Sequence, residues 1–177
     1  MLLLQDEGFD NLLRDCKREA FHLEVKDTYE TPEETDPFRN FLEGRSGEDD
    51  YGWLRGWLDL VQETTARGVR VRRARVVTVP HTDYTRWLLE VSHQNIAAGE
   101  EIRYLSRHLI DADRLTADDW WLFDDESVAF TVFEPAGRWA GGALTTDRRI
   151  VNYIREVRDL VWEAAIPHAD YLARGNR

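Results

Sequence analysis

The segment from Arg70 to Glu134 decides the fold, and it opens with the run RVRRARVVTVP at residues 70–80. Residues 74–79 are mostly apolar and β-branched, a composition that is typical of a strand buried in a sheet. Proline lacks a backbone donor, so Pro80 is expected to end this strand. Beyond it the apolar residues change from the repeat of a strand to the spacing of a helix. A helix is therefore predicted to follow the strand.

The predicted helix covers residues 84–96, where apolar side chains recur at helical intervals. Thr82 or Asp83 can cap its first turn, because a short side-chain oxygen accepts from the exposed backbone N–H groups there. Gly99 can end the helix in a left-handed conformation. Residues 102–105 then predict a second strand, so that the segment forms a strand-helix-strand unit.

Two arrangements fit this unit. The strands either lie parallel, joined by a right-handed crossover, or belong to separate hairpins. We favour the parallel arrangement, because one helix and short turns connect the strands. Shorter apolar runs at 120–123, 128–133 and 139–144 predict antiparallel strands, with turns at 124–127 and at Pro135–Gly137.

A long final helix is predicted from residue 150 to 164, with Asp147 as its cap. The predicted fold is therefore α+β: a mixed β-sheet of about five strands with helices packed on it, including one strand-helix-strand unit and a long C-terminal helix. The length suits a single domain over 1–177. In it, a helix-strand-helix appendage at 1–50 is expected to pack on a core at 53–173.

Composition limits the classes of partner. The chain carries a formal net charge of −11 and has a pI near 4.9. A charge of this sign repels phosphate backbones, so direct nucleic-acid binding is predicted to be absent, with a local basic patch as the feature that could override this. An apolar content of 42% with seven tryptophans is typical of a folded globule and not of a disordered acidic chain.

Cysteine usage and the N-terminus indicate the compartment. Cys16 is the single cysteine, so no intrachain disulfide can form, and no Cys/His cluster predicts zinc. We predict no cofactor and no metal site. The apolar run Leu2–Leu4 is too short for a signal peptide or a membrane anchor. A cytoplasmic protein without a membrane segment is expected.

Arginines between residues 67 and 75 form the only basic cluster of this acidic sequence. On a strand, alternation puts Arg73 and Arg75 on one face and Arg70 and Arg72 on the other. Most of them are expected to form ion pairs with the surplus of carboxylates. A sharper hypothesis is that Arg75 points into a pocket at the sheet face and binds an anionic group.

Polar side chains near the ends of the two central strands, and on the adjoining helix, are expected to share one rim. A crevice outside strand ends is where open α/β sheets bind ligands. The simpler interpretation is that Glu100 and Arg103 only pair with their neighbours. The predicted ligand-binding residues are Arg75, His81, Tyr84, Arg86, Glu100, Arg103 and Arg107.

Four other residues have ordinary interpretations. His22 lies on the polar side of a half-exposed strand, which is typical of a surface residue. Trp53 and Trp57 recur at helical spacing and are expected in the core, with a docking surface for a partner as the alternative. Cys16 is also expected in the core, because a nucleophile would need an electropositive, accessible setting.

Five blocks of the sequence, in a fixed order, carry a resemblance to a known family. They are AFHLEVKDTY, RARVVTVPHTDYTRW, NIAAGEEIRYLSRHL, WWLFDDESVAF and REVRDLVWEAAIPHADY. Together they resemble an actinobacterial family of domains of unknown function, the one numbered 6879. The likeness covers about Phe9 to Tyr171, and the order of the blocks is its specific part.

The resemblance implies a soluble single-domain protein, often encoded beside helix-turn-helix regulators, and brings no established activity, cofactor or catalytic set. The Arg-rich arrangement also resembles, more distantly, a half-domain of the phospholipase-D-like fold that some regulators use for ligand sensing. The catalytic pattern of that superfamily, a His two residues before a Lys, is absent around Lys17 and Lys26. Phosphodiesterase activity is therefore not expected from a likeness of fold.

Three functional hypotheses follow. The first is a non-enzymatic regulatory or interaction module that binds a partner protein, such as a helix-turn-helix regulator, or a small anionic effector through the Arg-lined rim. The alternative is a small-molecule metabolic enzyme that uses His81, Tyr84 or Glu100 for acid–base chemistry, with arginines to anchor an anionic substrate. The third, a DNA-mimic inhibitor, rests on net charge alone.

Overall fold

The computed structural model describes residues 1–134 and 138–175, so the turn predicted at Pro135–Gly137 lies outside the described residues. Within them the chain forms eight strands and six α-helices. The strands are β1 (Leu2–Leu4), β2 (Glu19–Glu24), β3 (Arg70–Val77), β4 (Glu101–Ser106), β5 (Trp120–Phe123), β6 (Ser127–Phe133), β7 (Trp139–Thr145) and β8 (Ile166–Pro167). The α-helices are α1 (Asp6–Asp15), α2 (Thr35–Leu42), α3 (Arg55–Ala66), α4 (Asp83–Ala97), α5 (Arg148–Ala164) and α6 (His168–Ala173). Short 3₁₀ helices span Pro32–Glu34, Glu48–Leu54, Arg107–Leu109 and Ala112–Arg114.

The eight strands belong to one mixed sheet, in the order β1-β7-β6-β5-β2-β3-β4-β8. β3 runs parallel to β2 and to β4, whereas the other neighbouring pairs are antiparallel. The predicted α+β fold with a mixed sheet is thus confirmed, but the predicted number of about five strands is too low. β1 has three residues and β8 has two, and runs this short show no alternation that a sequence pattern could reveal.

The predicted strand-helix-strand unit is present, since β3 and β4 form a parallel ladder in which Val76 pairs with Leu105. Thr82 caps α4, because its hydroxyl accepts from the backbone N–H of Thr85 at 3.0 Å. Gly99 has a φ of +105°, a left-handed conformation that favours glycine after a helix. The two segments that flank α4 therefore become neighbours in one sheet.

Helices cover both faces of the sheet. On one face α5 packs through its apolar stripe, as the sequence predicts, against residues of β2, β3, β5 and β6. On the opposite face, which we call the cavity face, α1 and α3 pack on β2, β3 and β5, and α6 packs on β4. α4 lies on this side too, with α2 packed on it. No helix in the described residues is both long and apolar enough to cross a membrane.

The N-terminal segment contributes a central strand. β2 lies between β3 and β5, and all six of its residues are buried. Residues 1–50 therefore share the sheet with the rest of the chain instead of only packing on it. The register of the parallel pair sets His22 opposite Arg73 and Glu24 opposite Arg75. This register brings four polar side chains together in the middle of the sheet.

The turn between β5 and β6 ties the start of β2 to the body of the domain. Asp124 adopts a φ of 54°, and its carboxylate accepts from the backbone N–H groups of residues 17–19 at 2.7 to 3.0 Å. The thiol of Cys16 also contacts this carboxylate, at 3.2 Å. Cys16 is buried, as expected, and burial together with the Asp124 carboxylate raises the pKa of its thiol to about 11.

Candidate functional site: an aromatic cavity on the sheet

Alternation along three central strands places large polar and aromatic side chains on the cavity face. His22 and Glu24 project from β2, Arg73 and Arg75 from β3, and Trp121 from β5. All five are buried. A cavity of about 690 Å³ lies between them and the helices of this face. We call it the aromatic cavity.

Its walls come from many parts of the chain. The side chains of Leu88, Val91 and Asn95 form the wall along α4, and Leu54 belongs to the wall before α3. The aromatic lining residues are Phe9, Tyr29, Trp53, Trp57, Tyr84, Trp121, Phe133 and Trp139. Four of the seven tryptophans thus meet at one cavity, which suits a guest with flat, weakly polar faces.

Two arginines and two glutamates form a charge-balanced network at the floor of the aromatic cavity. Arg73 donates through Nε to Glu100 at 2.6 Å and through Nη1 to Glu24. Nη1 of Arg75 lies 3.1 Å from the other Glu24 oxygen. Burial opposes ionisation of Glu24, but the two guanidinium groups outweigh it and hold its pKa well below the usual range. The network therefore has two positive and two negative charges.

His22 is part of this floor and not of the surface. It is only 8% exposed, because the helices of the cavity face cover the polar side of β2. Its ring stacks on Trp121 with a centroid distance of 4.3 Å, and its Nε2 lies 3.3 Å from Glu24. A histidine beside a carboxylate in a cavity can exchange a proton with a guest.

Residues 28–35, which we call the strap, line both the aromatic cavity and an outer groove of about 730 Å³. Tyr29 in the strap donates to the carboxylate of Asp119. Glu34, also in the strap, accepts from the hydroxyl of Tyr84 on α4. Burial raises the pKa of both carboxyl groups in spite of the hydrogen bonds that they accept. Two tyrosine–carboxylate pairs therefore hold the strap in place.

Several polar atoms of the cavity wall have no hydrogen-bond partner. They are Nδ1 of His22, Nε1 of Trp53, Nε1 of Trp57, Nε and Nη1 of Arg75, and Oδ1 of Asn95. Nη1 of Arg75 is close to Glu24, but the two groups do not meet in hydrogen-bonding geometry. Buried polar groups are normally paired, so this cluster is a feature that requires an explanation.

Metal binding has less support. Within residues 1–134 and 138–175, no group of three or more His, Cys, Asp or Glu side chains is arranged to hold a metal ion. Glu24 and Glu100 neutralise arginines, and Asp119 accepts from a tyrosine and from the backbone N–H of Val25 at 2.7 Å. The arrangement is therefore better suited to an organic guest.

The structure brings part of the predicted ligand-binding set to this cavity. Arg75 and Tyr84 line it, and Glu100 reaches it through Arg73. Arg73 was expected to share a face with Arg75, and it does. The sharper hypothesis for Arg75, that it points into a pocket at the sheet face, agrees with its place in the cavity wall.

The other four predicted residues lie elsewhere. Nδ1 of His81 lies 2.8 Å from a backbone carbonyl oxygen. Arg86 forms an exposed ion pair with a carboxylate on the preceding turn of the same helix. Arg103 lies over the ring of Trp162, 4.1 Å from its centroid, on the α5 side of the sheet. Arg107 donates to two backbone carbonyl groups. The expected single rim is not formed by these residues.

Sequence reasoning missed several residues of the cavity. His22 was interpreted as a surface residue, and Asn95 and Asp119 were not considered. The signal that could have found the floor is the matching alternation in two strands, with His22 and Glu24 two apart on one and Arg73 and Arg75 two apart on the next. Polar residues in both strands at the same spacing indicate a shared polar face.

Solved structures that are similar to this chain include TrmBL2 and NucT. TrmBL2, described as an archaeal chromatin protein with a novel mode of DNA binding, is 14% identical with a TM-score of 0.46. That match covers 89% of this chain and 47% of the other, so this chain spans about half the length of that protein. NucT from Helicobacter pylori is 9% identical with a TM-score of 0.51, over 90% of this chain and 87% of that one. At such identities the likeness concerns the fold and gives no residue roles.

These structures correct the predicted partners. Direct nucleic-acid binding was excluded on net charge alone, and that exclusion is wrong, because an overall negative charge does not prevent one local face from binding nucleic acid. The net charge of a whole chain is a sum over its surface and does not describe one local face. We therefore do not retain the set of partners that was predicted with this exclusion.

Sequence comparison assigns most of the chain to one family model. A family model described as a domain of unknown function (DUF6879) matches residues 7–173. Among curated proteins, no sequence matches the chain. The matched range includes the residues that line the aromatic cavity.

Proposed function

The chain belongs to the DUF6879 family, and from that premise we propose that it is a regulatory binding module which holds a small molecule in the aromatic cavity. The observation that carries this proposal is the set of unpartnered polar atoms in the cavity wall. Buried polar groups without partners are rare and call for an explanation such as a functional site. The volume of about 690 Å³ is also typical of ligand pockets.

The state of the carboxylates supports binding more than catalysis. Glu24 and Glu100 are engaged by arginines, while Glu34 and Asp119 accept from tyrosine hydroxyl groups. A general acid or base must be able to reach the proton that it transfers. Carboxylates that are already held in such pairs are better suited to stabilise the shape of the cavity than to transfer protons to and from a substrate.

Thermal unfolding in the presence of a metabolite library tests this proposal. A ligand at a hundred times its Kd should raise the Tm by about 5 °C or more in a domain of this size. The variant Trp53→Phe should reduce that shift, because it removes one unpartnered donor of the cavity. Trp162→Phe makes the same chemical change on the α5 side and should leave the shift intact. If no anion, cation or neutral ring raises the Tm, the cavity is not a binding site.

A second candidate function is favoured by one observation, the contact of His22 with Glu24 at 3.3 Å. In an enzyme, His22 would act as general base and Glu24 would orient its ring. This assigns the acid–base chemistry considered for His81, Tyr84 or Glu100 to a different residue. Once a ligand is known, its conversion by the wild-type chain and by His22→Ala distinguishes the two functions. Turnover that is lost in this variant, with ligand binding retained, would favour the enzyme.

Location and ancestry belong to this proposal as well. We place the chain in the cytoplasm, because its single cysteine, Cys16, is consistent with a reducing compartment. The actinobacterial origin and the distant likeness to a phospholipase-D-like half-domain stay predictions.

A regulatory module also needs a receiver, a protein that binds the ligand-bound and the ligand-free module differently. Copurification from native extract with and without ligand would identify such a receiver, and an unchanged set of proteins would argue against a regulatory role.

A further inference from the structure

We infer that the ligand of the aromatic cavity is a flat, uncharged nitrogen heterocycle that bears carbonyl groups, of the pyrimidine or purine type. The inference rests on the proposed function and adds the chemical class of the guest. Three properties of the cavity lead to it: the charge balance of the floor, the pattern of unpartnered donors and acceptors, and the flat aromatic walls.

The charge balance disfavours an anion. Arg73 and Arg75 are the basic residues of the floor, and the carboxylates of Glu24 and Glu100 already compensate them. An anionic guest would add a negative charge to a neutral and buried network, and would have to give up its own hydration. The arginines therefore offer N–H groups to a guest but no surplus of positive charge.

The same floor disfavours a cation. Cationic guests are usually held over the faces of tryptophan rings. Here the guanidinium of Arg73 already lies over two of them, 5.6 Å from the centroid of Trp57 and 6.0 Å from that of Trp121. A second cation at these faces would meet a like charge at short range. An uncharged guest avoids both costs.

The unpartnered atoms specify a pattern of hydrogen bonds. The indole N–H groups of Trp53 and Trp57 and two N–H groups of Arg75 are donors, Oδ1 of Asn95 is an acceptor, and Nδ1 of His22 can be either. A matching guest has two or more acceptor atoms to meet these donors, and at least one N–H. Carbonyl-bearing pyrimidines and purines have this pattern, since ring nitrogens and carbonyl oxygens accept while a ring N–H donates.

The shape of the walls also selects a planar ring. His22 lies flat on Trp121, with an interplanar angle of 26°, and Trp57 meets Trp121 edge to face at 5.5 Å. A planar aromatic guest can extend this set of stacked and edge-on rings through further stacked or edge-to-face contacts, whereas a bulky aliphatic guest fits beside it less well. The same base chemistry occurs in a free base and in an unstacked nucleotide of a single strand.

Calorimetric titration of the wild-type chain tests the inference with five probes: thymine, hypoxanthine, benzoate, tetramethylammonium and a short oligothymidylate. Thymine or hypoxanthine should bind, and benzoate and tetramethylammonium should bind at least about tenfold more weakly. Trp57→Phe should weaken binding of the base by about fivefold to tenfold, because a carbonyl of the guest loses its donor. Trp162→Phe should leave the affinity unchanged. A stronger signal from oligothymidylate than from thymine would identify a strand as the source of the base.

The outcomes separate this inference from the function on which it rests. If benzoate or tetramethylammonium binds with Trp57-dependent affinity and the bases do not, the cavity binds a ligand but the inferred class is wrong. If none of the five probes binds, the inferred class is also wrong, and the wider thermal screen then decides on the binding function. Base binding that is equal in wild type and Trp57→Phe would place the bases outside the aromatic cavity and overturn the inference.

Discussion

Arg75 and Glu24 are register partners on neighbouring parallel strands, and Nη1 of the arginine lies 3.1 Å from a carboxylate oxygen of the glutamate. The side chains are only 5% and 9% exposed. Glu24 also accepts from Arg73, so a single carboxylate contacts two buried cations, and Glu100 supplies the second negative charge. Such a cluster is stable only as a complete set, because an unpaired charge in an apolar interior is costly. Its completeness explains why the floor of the cavity can be polar and still lack net charge.

The variant Glu24→Gln tests this dependence. It keeps the size of the side chain but leaves Arg73 and Arg75 with Glu100 as their only floor carboxylate. We expect the free energy of unfolding in urea to fall by about 3 kcal/mol or more at neutral pH. Glu101→Gln is the control, since Glu101 pairs with Arg72 at an exposed position and should cost less than about 0.5 kcal/mol. Equal losses in the two variants would contradict the role given to Glu24.

Thiol reactivity tests the environment of Cys16. Burial and the carboxylate of Asp124 raise its pKa to about 11, and only the thiolate reacts with disulfide reagents. Near pH 8 the folded chain should therefore react at least about a hundredfold more slowly than the urea-unfolded chain. Asp124→Asn removes the negative neighbour and should speed the reaction of the folded chain. Comparable rates for the folded and unfolded wild type would mean that the thiol is exposed.

The pH dependence of stability tests the Asp124 turn. Burial opposes ionisation of Asp124, but the backbone N–H groups of residues 17–19 outweigh it and lower its pKa. A carboxyl whose pKa is lower in the folded state stabilises the fold above its unfolded pKa of about 3.9, and this stabilisation is lost as the pH falls through the folded value. Asp124→Asn accepts the same φ and should lose less stability than wild type between about pH 6 and pH 3. Identical acid profiles would exclude this contribution.

Hydrogen exchange tests how the strap is held. Tyr84→Phe removes the hydroxyl that donates to Glu34 and preserves the ring in the wall. A hydrogen bond of this kind contributes about 1 kcal/mol, so amide exchange in residues 28–35 should accelerate about fivefold. Tyr153→Phe, a change at a half-exposed position on α5, should have no effect there. An unchanged exchange rate in the strap would show that its position depends on other contacts.

The sequence predicts the fold well where local chemistry decides it. The helix ends are an example. Thr82 and Asp147 cap the first turns of α4 and α5 with a side-chain oxygen, and Gly99 adopts the left-handed conformation that follows α4. The parallel pair β3 and β4 follows from the short connection through α4. The edge strands β1 and β8 were missed because they have only three and two residues. Strands this short depend on pairing with a longer neighbouring strand, as Leu4 of β1 pairs with Gly142 of β7.

The candidate site was harder to predict, because it depends on register and on coverage. Arg103 is the register partner of Ala74, so its side chain leaves the sheet on the opposite face from Arg75. A sequence pattern shows which residues of one strand share a face, but not how two strands are aligned. Nor does it show which face the helices cover, and for that reason His22 was taken for a surface residue.

The most direct measurement is the ¹⁵N-correlated NMR spectrum of the indole N–H groups during titration with thymine or hypoxanthine. The account predicts that the resonances of Trp53 and Trp57 shift to low field with saturation, because each indole gains a hydrogen-bond acceptor. Those of Trp120 and Trp162, which pack in the core on the α5 side, should stay in place. The account is contradicted if only the resonances of Trp120 and Trp162 shift. It is also contradicted if no indole resonance shifts, neither with these bases nor with any compound that raises the Tm.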